Sequence, residues 1–590
     1  MVNEKWDLSQ IYSSNEDFES DFKIVQGLAE KLEGFKGKLK LEDKDIMREY
    51  FAVDDEFSSL LEKLAVFVHC KNDDDGKCDE NVKNYMRIND FYAKVSEKLS
   101  FIRSEMTSLS TDFLNELLSD EDFKDYSRVI ESFIRDKDHS PTEREQNILA
   151  TVSGFSSFDD IYSSITDIEM AHGSFVDDKG ETVTLTTGNY NLHLKNKSQD
   201  YRKKVMETYL GEYKRFNLTI ANLYASNIKQ KSFVARLNKF NSVLDMSTFG
   251  EEVTDKIMMK NIEYVSKNAP LMQKYFDLKR EILGLEKFYT CDLNADFDFG
   301  EKQLETFEQA TVDINNAFAP LGKDYQDMFK TALDSGWIDA LPRENKASGG
   351  YTISTYLTHP YILLNYDGTA YWKSAIAHEF GHAMHSYYSC KNQPLAKSSY
   401  TIFVAEVASL TNEILLSKYL LSKETDKQKK MQILADFLAL FYLNVFNSSM
   451  LAEFEFFAHS MVWNGETLTH RELNDEYAKI CKKYFGDSVT FTENFEYDWE
   501  RKSHIFRDYY LYKYSTGLVC ACAAASNILS DKTGEYVKKY KKFLSLGDSL
   551  SPLESLKVAG IDITDEKTYD FAFSMFEEYL NNLKNLYEGE

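Results

Sequence analysis

Apolar residues recur every three and four positions along most of this chain, with charged residues between them. That spacing gathers the apolar side chains on one helix face and predicts helices over segments such as Phe18–Leu32 and Asn81–Leu109. The first 165 or so residues read as such helices packed on one another, with the acidic run Asp73–Asp75 as a solvated loop. The period changes between Ile168 and Leu194, where FVDDKGETVTLT predicts a strand, a turn at Asp177–Gly180 and a second strand. Helical spacing returns near Ser198 and includes a long helix over Tyr201–Leu237. Cys291–Gly300 reads as loop or short strand. The segment GGYTISTYLTHPYILLNYDGT, Gly349–Thr369, is rich in Tyr, Thr and Ile and broken by Gly and Pro360, which predicts a small antiparallel sheet. Everything after Tyr371 reads as helical again.

The expected fold is therefore mainly α, with a small sheet just before the helix that begins near Tyr371. A change of pattern near residue 195 suggests an N-terminal helical domain over 1–195 and a second domain over 196–590. Only 7 prolines and 25 glycines in 590 residues agree with long helices and few tight turns. The length is too great for one simple core. The greasiest stretch, Met431–Phe446, carries Asp436 and Asn444, so a buried helix is expected there rather than a membrane span.

Charge and cysteine usage narrow the class. A net charge of −27 repels phosphate backbones, so nucleic acid is not an expected partner. The 7 cysteines follow no disulfide or zinc-finger spacing and read as free thiols in a reducing compartment. The opening MVNEKWDLSQIYSS has no basic stretch followed by an apolar core. Cytoplasmic location is the expectation, with no membrane partner and a monomer as the default.

The chemistry concentrates in HEFGH. His378 and His382 are four residues apart, which puts both imidazoles on one helix face where they can grip one ion. Glu379 lies beside that stripe, placed to take a proton from an activated water. Zinc in such a site needs a third protein ligand. A third histidine ten residues after the first is ruled out, because that position is Tyr388. Downstream, FVAEVASLTNE supplies Glu406 and Glu413, seven residues apart and so on one helix face. One serves as ligand and the other as its supporting partner, with Glu406 preferred as ligand. His385 extends the histidine stripe, as a partner of the site or as a core residue.

The run GTAYWKSAIAHEFGHAMHSYYS, the following FVAEVASLTNE, the opening WDLSQIY and the late HIFRDYYLYKYSTG together resemble the oligoendopeptidase F branch of the thimet oligopeptidase family of zinc peptidases. The resemblance is dense from about Gly349 to Ala525. It implies two helical lobes around a deep substrate channel, one zinc ion held by His378, His382 and Glu406, and Glu379 as general base. It implies endopeptidase cleavage of internal bonds in short unfolded peptides. In the tyrosine segment, Tyr512 matches the oxyanion donor, with Tyr509 next, and His504 matches a histidine that contacts substrate. Tyr509 and Tyr514 are expected to line the substrate site. The Tyr356–Tyr366 strand, with Tyr361 in it, offers an edge for main-chain pairing, and Gly349 and Gly350 form a mobile loop beside it. Two other readings stay open, a related exopeptidase and a non-catalytic peptide-binding protein.

Overall fold

A computed structural model describes residues 5–141, 145, 149, 157–297, 299–300 and 304–589. The protein is 72% helix and 3% strand. It forms two compact units, each built from three separate stretches of chain: Met1–Ser140, Lys302–Ser422 and Ala521–Asp562 make one, and Pro141–Glu301, Lys423–Cys520 and Ile563–Glu590 make the other.

In the first unit, helix α1 (Asn15–Glu33) starts where the Ser14 hydroxyl accepts from the Asp17 amide. It buries Phe18, Phe22, Val25, Leu28 and Leu32, the face that the spacing predicted. That face packs on α2 (Lys44–Asp74), capped by Asp43. The acidic run is not a solvated loop. Asp73 accepts from the Tyr351 hydroxyl and Asp74 pairs with Arg343, so the end of α2 is tied to the sheet.

That sheet has three strands, β1 (Ile338–Asp339), β2 (Tyr351–Ile353) and β3 (Tyr361–Leu363), in the order β1-β3-β2. β2 runs antiparallel to β3, as expected, but β1 pairs with β3 in parallel. A strand of two residues is too short to show a period, so β1 left no sequence signal. β3 is the central strand and all three of its residues are fully buried. Tyr361 packs against Trp6 and His359 within the α1–α2 core. The strand chosen from sequence for edge pairing thus has partners on both sides, and β1 and β2 are the edges.

Beyond the sheet, α3 (Ala370–Asn392) carries HEFGH and α4 (Ile402–Lys423) carries Glu406 and Glu413. Phe380 turns away from the histidines into a ring cluster with Phe318, Tyr325 and Phe329. The glycine of HEFGH sits where the two helices touch. A Cβ on Gly381 would lie 2.5 Å from Ser409 Cα and 2.7 Å from the Ala408 carbonyl. Close by, Asn412 donates to the Ala377 carbonyl across the same junction, at 3.1 Å.

The second unit centres on the 39-residue helix Gln199–Leu237. The predicted hairpin is present as Ser174–Val176 paired antiparallel with Thr182–Thr184. The long apolar run is helical, and 61% of its most apolar window within Lys427–Trp463 is buried inside the protein, as the charged and amide residues in it required. Two expectations shift. The Asn81–Leu109 helix is divided at Ser100 into Asp79–Leu99 and Phe101–Ser108. Residues 486–511 are turns and 3₁₀ segments rather than regular helix.

Two consequences can be measured. Gly381→Ala gains about 1 kcal/mol of helix propensity, but its methyl overlaps backbone that cannot swing aside. Overpacking of about 1–3 kcal/mol or more outweighs the gain, so denaturant titration is expected to show a net loss of stability. In the second unit, burial pushes Glu500 up to about 9 from its ordinary 4.5, against the hydrogen bond from Asn217. Between those values the unfolded chain ionises at this position while the folded chain does not, so the group lowers stability as pH rises. Glu500→Gln is expected to gain on the parent progressively from pH 5 to pH 8.5 in urea titrations.

Candidate metal centre and its neighbours

His378 and His382 project from one face of α3, and their Nε2 atoms stand 3.2 Å apart. Glu406 Oε2 on α4 lies 3.6 Å from His378 Nε2 and 3.9 Å from His382 Nε2. The three ligand atoms fall within 4.8 Å of one another. Ligands at zinc bond lengths in a tetrahedral site are about 3.3 Å apart, so the donor set suits a single small ion with little adjustment. The three side chains are each 19–24% exposed, which leaves one side of the cluster open.

The orientation of His378 is fixed from behind. Its Nδ1 is 2.7 Å from Glu413 Oε1, and the other Glu413 oxygen accepts from Ser374 Oγ at 2.6 Å. With Nδ1 engaged, Nε2 is the nitrogen presented to Glu406. Burial disfavours a charged His378 ring, but the Glu413 carboxylate and its hydrogen bond outweigh that and hold the ring up at about 9. His382 goes the other way, driven well down by burial and by the neighbouring His378. Two imidazoles this close do not both carry a positive charge in a buried site, whereas both can offer a lone pair to a shared cation. Ser409 Oγ steadies Glu406 Oε2 at 3.1 Å.

Glu379 follows His378 and is 9% exposed. Burial raises its carboxyl, opposed by His378 and by a hydrogen bond from Thr352 on β2. Thr352 Oγ1 lies 2.8 Å from Glu379 Oε2.

The other residues singled out from sequence fall in several places. His385 is buried with its ring stacked 3.7 Å from that of Tyr400 and close to Phe543, so it packs α3 against the approach to α4. Gly349 has φ +86°, and Asn365 Nδ2 holds both its carbonyl and that of Ala347. Gly350 lies against the Trp372 ring, where a Cβ would come within 3.3 Å.

In the second unit, Tyr509 is buried at a φ of +54°, with its amide donating to Glu455 Oε1 at 3.1 Å and its ring on His459. Tyr512 is fully buried. His504, Tyr510 and Tyr514 are partly exposed and form one ring cluster, with Tyr510 and Tyr514 centroids 5.4 Å apart.

Sequence reasoning missed Ser374 and Thr352. Ser374 lies one turn before His378 on α3, and helical spacing was enough to find it. Thr352 carries no local signal, since its position depends on the sheet lying against α3.

Comparison with known proteins places the whole chain in a family. The family model for peptidase family M3 matches residues 192–575, and that for oligopeptidase F matches residues 105–171. Oligopeptidase PepF of Bacillus subtilis is 31% identical over 99% of this chain and 87% of its own. An oligoendopeptidase F homolog of Borreliella burgdorferi is 31% identical over 99% of this chain and 98% of its own. Among solved structures, oligoendopeptidase-F of Enterococcus faecium superposes with a TM-score of 0.74 at 26% identity, covering 98% of this chain and all of that one. A crystallised protein of Chlamydophila abortus gives a TM-score of 0.92 at 29% identity, covering 99% and 98%. A family model spanning most of the chain, and relatives aligned along nearly all of it, establish that this protein belongs to peptidase family M3, a family of metal-dependent peptidases, on its oligoendopeptidase F branch.

Proposed function

We propose that this peptidase is a zinc-dependent oligoendopeptidase that cleaves internal bonds of short peptides, with Glu379 as its general base. The observation that carries the proposal is the convergence of His378, His382 and Glu406 beside the Glu379 carboxylate, with Glu413 locking the first histidine. His378 Nε2, His382 Nε2 and Glu406 would hold the ion. A zinc ion there supplies Lewis-acid polarisation of the attacking water and of the scissile carbonyl.

The protein's own groups do the rest. Glu379 takes the proton released by the attacking water and returns it to the departing amine. Its raised affinity for protons suits that shuttle. The free edge of β2 offers main-chain partners to an extended peptide. The family resemblance assigns the oxyanion contact to the segment after His504. Within it the resemblance favours Tyr512, with Tyr509 next; Tyr512 is fully buried, whereas Tyr510 and Tyr514 are partly exposed and grouped with His504. A reducing compartment such as the cytoplasm belongs to the same proposal, supported by seven free cysteines, five of them buried.

Glu379→Gln is expected to keep its metal and lose roughly 100- to 10,000-fold in kcat, read with a quenched peptide blocked at both ends. Near-parental turnover would remove Glu379 from its role, and products cut only at the termini of an unblocked peptide would turn the reading to an exopeptidase. Glu406→Ala is expected to lose metal on dialysis, while Glu413→Ala weakens metal affinity by about 10- to 100-fold. Elemental analysis across a chelator series distinguishes them, and the opposite order would exchange the two roles.

A further inference from the structure

We propose that Thr352 is a positioning residue for the general base, holding Glu379 Oε2 so that Oε1 is the oxygen left to accept the proton from the attacking water. The inference rests on the reading of Glu379 as base. It begins from a geometric fact about β2. Thr352 pairs with Ile362 in the sheet, and its hydroxyl lies 2.8 Å from Glu379 Oε2 and 2.8 Å from the Glu379 main-chain carbonyl. One hydroxyl has one proton to donate. The Glu379 carbonyl lies in the middle of α3, where the helix ladder already supplies it with a donor. The buried carboxylate has no such provision, and leaving one of its oxygens without a donor is costly. The bond to Oε2 is therefore the one with consequences.

The hydroxyl is delivered by a strand that is fixed on several sides. Tyr351, the preceding residue, donates to Asp73 on α2 at 2.9 Å. Asn365 holds the carbonyls of Ala347 and Gly349 at 3.0 and 2.9 Å. Lys346, with a fully buried side chain, binds Asp339 and the carbonyls of Leu341 and Leu364. Gly350 lets the strand lie against Trp372 of α3. A β-branched threonine has few rotamers of its own to sample, so an anchored backbone fixes the direction of its O–H. A carboxylate turns about its last bond over a broad range. A donor on one oxygen removes that freedom and fixes where the other oxygen stands. In the reaction the water O–H bond breaks, its proton passes to Oε1 and its electron pair forms the bond to the scissile carbon. The proton then leaves Oε1 for the amine nitrogen as the C–N bond breaks.

The test uses the full-length, metal-loaded enzyme and the blocked quenched peptide. Thr352→Val keeps the shape and removes the donor, whereas Thr352→Ser keeps the donor. The valine variant is expected to lose about 10- to 100-fold in kcat, the range for removing a partner that orients a group at a metal site, with KM and metal content unchanged. The serine variant should return to within a few-fold of parent. Placed in the Glu379→Gln background, Thr352→Val should cost far less than in the parent, because no proton-accepting carboxylate remains to be oriented. Parental kcat in the valine variant, a change confined to KM, or an equal loss in the Glu379→Gln background would overturn the inference. If the valine variant proves unstable, the serine and alanine variants decide it by the same three measures. Failure of the base assignment itself is read separately, from turnover of Glu379→Gln alone.

Discussion

The contact of α3 and α4 at Gly381 sets the geometry on which the His378–His382–Glu406 cluster depends. Helices whose backbones come this near need a residue without a side chain on one of them, and Gly381 meets Ser409 with no room for a Cβ. The point of contact lies between His378 and His382 on one helix and between Glu406 and Glu413 on the other. Glu406 can then reach the front of the histidine pair while Glu413 reaches the back of His378. A wider separation would cost the ligand atoms their common reach. Phe380, pointing the other way into its ring cluster, holds α3 in the rotation that presents both imidazoles together.

Electrostatics follow from that packing. Three carboxylates and two imidazoles share a half-buried site, and each is steadied by a short neutral or charged partner. Ser374 and His378 satisfy Glu413, Ser409 steadies Glu406, and Thr352 reaches Glu379. His378 is held up by Glu413, while His382, without a carboxylate behind it, is driven down.

In the second unit a similar logic separates residues that look alike in sequence. Tyr509 occupies a left-handed backbone conformation that a tyrosine adopts at a cost, stabilised by the amide bond to buried Glu455. That turn orders the segment so that Tyr509 and Tyr512 go inward and Tyr510 and Tyr514 stay partly open beside His504. Neighbouring phenols thus differ in their surroundings, not in their chemistry.

The sequence by itself determined the helical class, because three-and-four spacing persists through Phe18–Leu32 and Tyr201–Leu237 and needs no distant partner to be read. It also determined which side chains can gather: the i, i+4 histidines and the seven-residue spacing of Glu406 and Glu413 place each pair on one face of its own helix, and local periodicity carries that information. The family resemblance added the tyrosine segment as a whole. What only the tertiary structure decided depends on contacts between segments far apart in the chain. Strand β1 is too short to have a period, Tyr361 became a core residue because β3 acquired neighbours on both sides, and the Asp73–Asp75 run became an anchor for β2 and Arg343. The interleaving of three stretches in each unit, the choice among five tyrosine and histidine rings after Arg501, and the approach of Thr352 to Glu379 are all products of packing. Periodicity reports which face of an element is apolar, and it does not report what that face will meet.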